Sequence, residues 1–325
     1  MRILICKKVG GAFGHITDSW INALQQSGFE TKRYDGNISS WTDFDPDLFI
    51  GCSGHWQPIP KNTKTKIAIH VNPYGQSIPG IDESANVIEN VKKHKPTVVF
   101  GYGFEQHRKY WYKWEHDGIP WVPMPTAGDA TKYRNLNIDR VHDIVYLGGK
   151  WAYKSKTMDQ YLLPVIRSGK FKSMIYGWGD WDQDLSRYIM NGPIVPLDEG
   201  NENGFFNTGK VAPCMSEIHT YHTGIDLPER YFKVVLAGCL AVHDGGTRVK
   251  EILKEAEVAN DHTEYFDLIN KYVFDHKLRK MRAASQYQEI IGSHTYHHRL
   301  SNLLIRCGYV DEGTRMLESL KSLMN

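Results

Sequence analysis

Cysteine is scarce in this sequence and widely scattered. Among 325 residues there are five cysteines, an odd number, and no two of them form a CxxC pair. This pattern argues against a disulfide framework and against a zinc site built from thiolates. Unpaired cysteines are typical of a reducing compartment, so we expect a cytoplasmic protein.

The sequence also has little net charge and no long apolar run. Its 39 Lys and Arg residues stand against 37 Asp and Glu residues, which leaves a net charge of +2. So weak an overall charge does not by itself draw a protein onto nucleic acid or an anionic membrane. No apolar stretch approaches the ~18 residues that a membrane-spanning helix needs, so we expect no membrane span.

What the sequence has is a globular composition and enough length for two domains. Hydrophobic residues make up 41% and charged residues 23%, values that exclude wholesale disorder. At roughly 150 residues per domain, the length corresponds to about two domains, each large enough to bury its own core.

Short β-branched or aromatic runs alternate with longer helical patterns, which is typical of parallel sheets covered by helices on both faces. The predicted strands are 2–6, 30–34, 48–52, 66–71, 97–102, 121–124, 143–147, 173–176, 210–214 and 239–243. The main predicted helices are 16–26, 82–93, 104–115, 156–168, 228–237, 248–256, 264–272 and 312–324. The sequence therefore predicts an α/β protein with two Rossmann-like, doubly wound domains and a cleft between them, where two substrates would bind.

A less regular stretch, 125–140, contains Pro, Gly and several polar residues and predicts the boundary between the domains. We expect an N-terminal Rossmann-like acceptor domain over 1–130 and a C-terminal Rossmann-like donor domain over 131–310. The last helix, 311–325, is expected to pack back on the N-terminal domain.

The first predicted strand is followed by a glycine-rich turn with Gly10, Gly11 and Gly14. Glycines let the backbone approach a ligand, and the start of a helix favours an anion. The spacing is GGxxG rather than GxGxxG, and no acidic residue ends the second strand as a ribose ligand would, so an NAD site is poorly supported. A tight turn that packs helix on sheet remains an equal alternative.

Three histidines follow predicted strands of the first half and are candidates for a general base. They are His15, His55 and His70, of which His15 is the leading candidate because its side chain could project into the cleft. A neutral imidazole accepts a proton near neutral pH without a large pKa shift. The alternative for His15 is a capping or surface role.

The turn after the predicted strand 143–147 contains Gly148 and Gly149, followed by Lys150 and Lys154. Backbone amides and ammonium groups so arranged would hold a diphosphate, although a solvated basic face is the alternative. Trp178, in the loop after the next strand, is a candidate to stack on a nucleobase, or else a residue of the core and its rim.

The segment 216–244 is the most informative part of the sequence. A polar loop with Glu217 and His219 precedes a predicted helix whose first turn carries Glu229 and Arg230. The helix dipole and the guanidinium together favour a phosphate at this point.

This segment and the glycine-lysine turn before it resemble glycosyltransferases of the two-Rossmann-domain GT-B fold, in particular the spore-maturation-protein-type group related to glycosyl transferase group 1. In that group a helix with Arg-x-Phe-Glu, an Ala-Gly turn and a strand form the nucleotide-sugar pocket. The matching run here is Arg230, Tyr231, Phe232, Lys233, then Ala237 and Gly238 before a strand.

The resemblance implies a UDP-sugar as the foremost co-substrate, held by Gly149, Lys150, Lys154, Trp178, Glu217, His219, Glu229, Arg230 and Lys233. One residue departs from the family. Lys233 stands where the group has a glutamate that accepts hydrogen bonds from the donor ribose, and a lysine only donates. Glu229, one helical turn earlier, is the candidate to replace it.

Other patterns suggest a metal. Asp43, Asp45 and Asp47, and again Asp180, Asp182 and Asp184, are spaced as in Asp-x-Asp motifs, which hold divalent cations in some transferases. Solvated turns explain both triplets better. Two groups of histidines, His219 with His222 and His294 with His297 and His298, lack further ligands nearby. We expect no obligatory metal or other cofactor.

The run 108–114 interleaves cationic and aromatic side chains, a pattern that can grip single strands or flipped bases. The same rings on a helix would build core. A hydroxymethylated DNA base is therefore one candidate acceptor and a glycan the other.

Together these features predict a metal-independent glycosyltransferase that moves a sugar from a nucleotide-diphosphate sugar to an acceptor hydroxyl, with His15 or His70 as the base. A sugar-nucleotide epimerase and a non-catalytic module that binds nucleotide sugars are the alternatives.

Overall fold

The computed structural model describes residues 1–7, 10–53, 57–60, 64–75, 78, 81–198, 200–246 and 248–324. The chain forms two compact units. The first combines Met1–Thr131 with Tyr296–Asn325, and the second is Lys132–Thr295. The predicted class, α/β with two parallel sheets, is confirmed.

The first unit is built on a six-stranded sheet with the order β2-β1-β3-β4-β5-β6, in which all neighbouring strands are parallel. The strands are β1 (Arg2–Ile5), β2 (Glu30–Arg33), β3 (Leu48–Cys52), β4 (Lys66–His70), β5 (Val98–Gly101) and β6 (Trp121–Pro123). β3 and β5 are buried along their whole length, as expected for strands covered on both faces.

The helices of the first unit are α1 (Ala12–Gln26), α2 (Ile38–Phe44), α3 (Ala85–Lys93), α4 (Arg108–His116), α13 (Tyr296–Arg306) and α14 (Val310–Met324), with a 3-10 turn at Glu105–His107. α13 and α14 both pack on α1, and α13 also contacts β6. The second unit therefore ends at Thr295, before the sequence-based boundary at 310, because α13 buries its apolar face in the first unit. The Tyr296 backbone N–H donates to the Gly128 carbonyl at 2.9 Å.

The second unit contains a five-stranded parallel sheet with the order β11-β10-β9-β7-β8. Its strands are β7 (His142–Leu147), β8 (Ser173–Tyr176), β9 (Gly209–Cys214), β10 (Leu240–His243) and β11 (Glu257–Val258). Its helices are α5 (Ala152–Thr157), α6 (Leu163–Arg167), α7 (Glu202–Asn207), α8 (Ile218–Thr223), α9 (Glu229–Leu236), α10 (Val249–Ile252), α11 (His262–Phe274) and α12 (His276–Ser293). A π-helical turn, Met158–Leu162, joins α5 to α6, and a 3-10 turn spans Gln183–Arg187.

Two helices begin earlier than the sequence predicts, and both changes concern candidate binding turns. α1 begins at Ala12 rather than at residue 16, so His15 lies within its first turns and not in the loop before it. α5 begins at Ala152, so Lys154 is helical. The segment predicted as a polar loop around His219 is helix α8.

Within the described residues, no helix is both long enough and apolar enough to cross a membrane.

Candidate functional site

The carboxyl ends of β7 and β9 define the candidate site in the second unit. β7 lies between β8 and β9 in its sheet, so the chain adds β8 on one side of β7 and then β9 on the other, and the order of the strands reverses at this point. Ligands of open parallel sheets bind at such a reversal, outside the carboxyl ends of the strands. The turn after β7, the loop after β9 and the start of α9 all meet at this edge.

The two glycines after β7 leave room for side chains from elsewhere in the unit. A Cβ atom at Gly148 would collide with Nη2 of Arg230, and one at Gly149 would lie 2.6 Å from Nε1 of Trp178. Glycine is required at both positions because neighbouring side chains occupy the space of a Cβ. This close approach brings Arg230 and Trp178 to opposite ends of the same short turn.

Arg230, in the first turn of α9, is fixed over the end of β7. Its Nε donates to the Leu147 carbonyl, and its guanidinium lies 4.4 Å from the centroid of the Tyr146 ring. The Nη1 atom is buried and has no hydrogen-bond partner among the described residues. A buried guanidinium nitrogen without a partner is costly, so this atom is suited to bind an anion.

Lys154, on α5, is a second cation at this edge. Its side chain is 4% exposed and packs over the Trp151 ring at 5.1 Å. Burial lowers the pKa of Lys154 well below its usual value, and the nearby Arg230 lowers that pKa further, although Glu217 and Asp244 act in the opposite direction. Within the described part of the chain its ammonium nitrogen makes no hydrogen bond or ion pair.

Lys150 differs from Lys154 because carboxylates already bind it. Its Nζ lies 2.6 Å from Asp182 and 2.9 Å from Asp159. Burial lowers the pKa of Lys150, but the two carboxylates outweigh burial and the pKa is raised. Its backbone N–H donates to the Trp178 carbonyl and its carbonyl accepts from Asp180, each at 2.9 to 3.0 Å. Lys150 therefore fastens the glycine turn to the loop after β8.

Trp178 is an exposed ring beside the glycine turn. It is 54% exposed and stacks on Trp151, with ring centroids 6.3 Å apart and an angle of 18° between the planes. An exposed, preordered indole of this kind is a platform on which a planar ligand can stack.

The loop after β9 is held by a buried carboxylate that sequence analysis did not single out. Asp244, fully buried at the end of β10, accepts hydrogen bonds from the Ser216 backbone N–H at 2.6 Å and from the Ser216 hydroxyl at 2.7 Å. The Ser216 carbonyl in turn accepts from the Thr157 hydroxyl at 2.7 Å. These contacts join β10, the loop after β9 and α5. An aspartate directly after a buried strand is the signal that could have identified it.

Glu217 and His219, both expected to bind donor, lie on either side of the start of α8. His219 is buried, 3.5 Å from Asp226 and 3.9 Å from Glu217. Burial lowers the pKa of His219, but the two carboxylates outweigh it and raise that pKa overall. Burial also raises the pKa of Glu217, and Asp226 raises it further. The two residues form a cluster of coupled charges beside Lys154.

Lys233 is buried between two carboxylates. Its Nζ lies 2.9 Å from Glu229 and 3.3 Å from Glu202, and the Tyr133 hydroxyl donates to the same oxygen of Glu202. Burial lowers the pKa of Lys233, but the two carboxylates outweigh burial and raise it. Lys233 therefore takes up part of the hydrogen-bonding capacity of Glu229. Glu202, which sequence analysis missed, is part of the same cluster.

The candidate bases lie at the carboxyl edge of the first sheet. His70 ends β4, is 6% exposed and packs against Phe13, Phe100 and Tyr102, with ring centroids 4.4 to 5.6 Å away. His15 is half-buried on α1, two residues after Phe13, and residues so spaced on a helix face different directions. His55 lies outside the described residues.

Glu83 is a carboxylate at the same edge that sequence analysis did not single out. It accepts hydrogen bonds from the Ser53 hydroxyl at 2.8 Å and from the Asn72 backbone N–H at 3.0 Å. It thereby joins the loops that follow β3 and β4.

The aspartate triplets and the histidine groups do not form metal sites within the part of the chain that the structure describes. No group of three or more His, Cys, Asp or Glu side chains there is placed to hold a metal ion. Asp182 and Asp184 pair with Arg167, and Asp45 pairs with Arg2. His297 is buried with its Nε2 2.9 Å from Gln26, and burial lowers its pKa to about 4. The independence of the reaction from metal remains a prediction.

The cationic and aromatic run 108–114 forms helix α4, whose tryptophans belong to the core. Trp111 and Trp114 are 1% and 0% exposed and donate to the carbonyls of Val71 and Asn72. Arg108 pairs with Glu105 and Glu115. These side chains are therefore structural, and the run does not present its tryptophans to a nucleic acid.

Comparison with known proteins identifies the part of the chain that holds most of this site. Residues 159–305 match the family model of glycosyl transferase-like proteins. This part of the chain is similar to a glycosyl transferase-like domain. The domain contains Trp178, Glu217, His219 and the α9 residues, while the turn from Gly148 to Lys154 lies just before it. No curated protein matches the chain in sequence.

Solved structures similar to the whole chain are glycosyltransferases. The phage T4 β-glucosyltransferase in complex with its substrate UDP-glucose aligns with a TM-score of 0.59 at 12% identity, over 98% of this chain and 99% of that chain. An α-glucosyltransferase in complex with UDP and a 13-mer DNA aligns with a TM-score of 0.65 at 11% identity, over 95% of this chain and 100% of that chain. The TarM protein of S. aureus, in complex with UDP, aligns with a TM-score of 0.57 at 12% identity, over 83% of this chain and 58% of that chain. The likeness confirms the predicted GT-B fold.

Proposed function

We propose that this protein is a glycosyltransferase that moves a sugar from a UDP-sugar to an acceptor hydroxyl. The observation that carries the proposal is the pair of cationic groups around the glycine turn after β7. Lys154 and the Nη1 atom of Arg230 are both buried, and neither has a hydrogen-bond partner among the described residues. A protein gains little stability from such groups, so their presence favours a bound anion.

The donor diphosphate would bind to Arg230, Lys154 and the backbone of the turn at Gly149. The start of α9 adds its dipole, and the two cations neutralise the charge that develops on the diphosphate as the bond to the sugar breaks. Lys150 would act indirectly by holding the turn in place, because its ammonium is bound by Asp159 and Asp182. Trp178 offers its exposed face to the nucleobase.

The remaining donor groups would be bound by the two acidic clusters of the same unit. Glu229, with Glu202, would present carboxylate oxygens to the ribose hydroxyls, and Lys233 pairs with both carboxylates. Glu217, whose charge acts on Lys154, and its neighbour His219 would bind the sugar. These assignments give a role to the donor-binding residues that the sequence predicts, and none of these roles requires a metal ligand.

The first unit would supply the acceptor hydroxyl and the base. We propose His15 as the group that takes the proton of the attacking hydroxyl, because His70 is buried among aromatic rings. A base that is half-buried on the first turns of α1 can be reached by an acceptor, whereas His70 would need its ring cluster to open.

Donor binding is tested by thermal shift with UDP, GDP and ADP, followed by transfer from UDP-glucose detected by mass. We expect UDP to raise the melting temperature, and Arg230→Gln to lower kcat/KM by about 10²- to 10³-fold. The matched control is Arg187→Gln, an exposed arginine of the same unit, which should retain activity. If none of the nucleotides stabilises the parent protein, the proposed function is wrong. Hydrolysis or isomerisation of the donor without transfer would favour an epimerase.

The base is tested by His15→Ala. We expect kcat to fall about 10²-fold or more while UDP binding stays unchanged, because the imidazole acts on the acceptor alone. A variant with unchanged kcat would refute the role of His15, and His70→Ala would then be compared in the same assay.

We propose a hydroxymethylated DNA base as the acceptor, and two of the similar structures support DNA as the kind of molecule that receives the sugar. The phage T4 enzyme is described as a DNA-modifying β-glucosyltransferase, and the α-glucosyltransferase was solved with DNA; each aligns with at least 95% of this chain. The test offers UDP-glucose with hydroxymethylated duplexes, unmodified duplexes and glycans. Mass gain of one hexose on the hydroxymethylated duplex alone would support DNA, and transfer only to the glycans would refute it.

A further inference from the structure

Lys154 is enclosed by charged groups from four other parts of the second unit. Arg230 faces it from α9, Glu217 from the start of α8, Asp244 from the end of β10 and the Cys214 thiol from the end of β9. Trp151, on its own segment, covers it with an aromatic face at 5.1 Å. Lys154 is therefore largely withdrawn from water, with only 4% of the residue exposed.

The carboxylates nearby do not compensate for this burial. Asp244 already accepts two hydrogen bonds from Ser216. Glu217 lies 3.9 Å from His219, so His219 competes with Lys154 for the negative charge of Glu217. Neither carboxylate lies within ion-pair distance of Lys154, whereas the guanidinium of Arg230 repels a positive charge at that position.

We infer that Lys154 takes up a proton when a nucleoside diphosphate binds between it and Arg230. The inference rests on the proposed donor site and adds to it a change of protonation. The lone pair of Nζ binds one proton from solvent, the amine becomes an ammonium, and the diphosphate loses no group.

The direction of this change follows from the charges on the two sides of the binding step. In the free protein, burial and Arg230 both lower the pKa of Lys154. A bound diphosphate brings two or more negative charges to the same place, which favours the ammonium and raises that pKa again. Between the two pKa values, one proton is bound for each diphosphate, and the affinity for UDP falls up to about tenfold for each pH unit.

The experiment is calorimetric titration of the full-length protein with UDP in two buffers of different ionisation enthalpy, from pH 7.5 to pH 8.5, where the uracil N3–H of UDP stays protonated. The phosphates of UDP are fully ionised over this range, so they contribute no protons. We expect an uptake that rises to about one proton in part of this range. UDP binding with no proton uptake at any pH would overturn the inference and leave the proposed function standing.

Two variants identify the group that takes the proton. Lys154→Met should bind UDP at least tenfold more weakly and without proton uptake, since a thioether does not titrate. Lys156→Met, an exposed lysine on the same helix, should retain both affinity and uptake. Uptake that persists in Lys154→Met would assign the proton to another group and refute the inference. If Lys154→Met does not fold, the proton uptake of the parent protein as a function of pH still tests the inference.

Inorganic pyrophosphate separates the two proposals. It presents two linked phosphates without nucleoside or sugar, and because its own last proton is titratable in this range, its uptake is taken as the difference between the parent protein and Lys154→Met. If pyrophosphate binds with proton uptake but no UDP-sugar is used, the inference about Lys154 holds and the proposed function fails. If neither UDP nor pyrophosphate binds, both are wrong.

Discussion

Replacing Lys233 by glutamate restores the residue that the resembling family carries at this position, yet we expect the change to damage the protein. The side chains of Lys233, Glu229 and Glu202 are only 11%, 10% and 16% exposed. With glutamate at 233, three carboxylates would face one another with no cation between them. Removing one partner of a buried ion pair costs about 3 to 5 kcal/mol, because the other charge is left unpaired.

For a unit of this size, each kcal/mol corresponds to about 2 to 4 °C, so Lys233→Glu should lower the melting temperature by roughly 6 to 20 °C at pH 7.5. The defect should shrink as the pH falls toward ~5. Facing carboxylates raise one another's pKa, so protonation begins there first and removes the repulsion. Calorimetric or spectroscopic melting over this pH range measures both effects.

Two further variants make the test specific. Glu229→Gln in the Lys233→Glu background removes one of the three charges and should recover part of the lost stability. Charge reversal at an exposed lysine of α12, Lys280→Glu, should change stability by less than about 0.5 kcal/mol. If Lys233→Glu melts within 2 °C of the parent, a margin of roughly one kcal/mol, the carboxylates are not held together as the structure places them and the reasoning is refuted.

Three other substitutions test separate contacts of the second unit. Gly148→Ala places a methyl group against Arg230 and should weaken UDP binding about tenfold or more in calorimetry; unchanged affinity would mean that the guanidinium moves aside freely. Trp178→Ala should leave the melting temperature nearly unchanged, because the ring is 54% exposed, but raise KM for the UDP-sugar by about tenfold through lost stacking. An unchanged KM would remove Trp178 from the donor site. Arg140→Met should cost about 2 to 4 kcal/mol of stability without changing kcat, since this guanidinium donates to the carbonyls of Phe206, Asn207, Gly209 and Ala237. If Arg140→Met melts at the same temperature as the parent, these hydrogen bonds of Arg140 do not stabilise the unit as predicted.

The parallel sheets could be predicted from sequence because their strands are short, apolar and bounded by turn residues. β3 and β8 have the predicted bounds, and β7 and β9 each differ by one residue. β11 was missed because it has only two residues, both half-buried, and α2 because its seven residues show a single buried side chain, Trp41. Elements this short carry too little periodicity to be recognised.

The candidate site was predictable where glycine or a strand end marks it, as at Gly149 and Arg230. Which charged side chains are already bound by an ion-pair partner could not be predicted from the sequence. Lys150 and Lys154 are alike in sequence, four residues apart, but one is neutralised by Asp159 and Asp182 and the other has no ion-pair partner among the described residues. These partners come from distant parts of the chain, so only the folded structure distinguishes a structural lysine from one free to bind a ligand.

The return of the chain to the first unit at Tyr296 makes the second unit an insertion. Its two connections, at Thr131 and at Tyr296, begin close together, because the Tyr296 backbone N–H bonds the carbonyl of Gly128. Excising 132–295 and joining the cut ends with a few glycines would therefore leave a chain whose sheet and three packing helices, α1, α13 and α14, remain continuous with one another. The first unit therefore cannot complete its own core during synthesis until the whole inserted unit, 132–295, has been made.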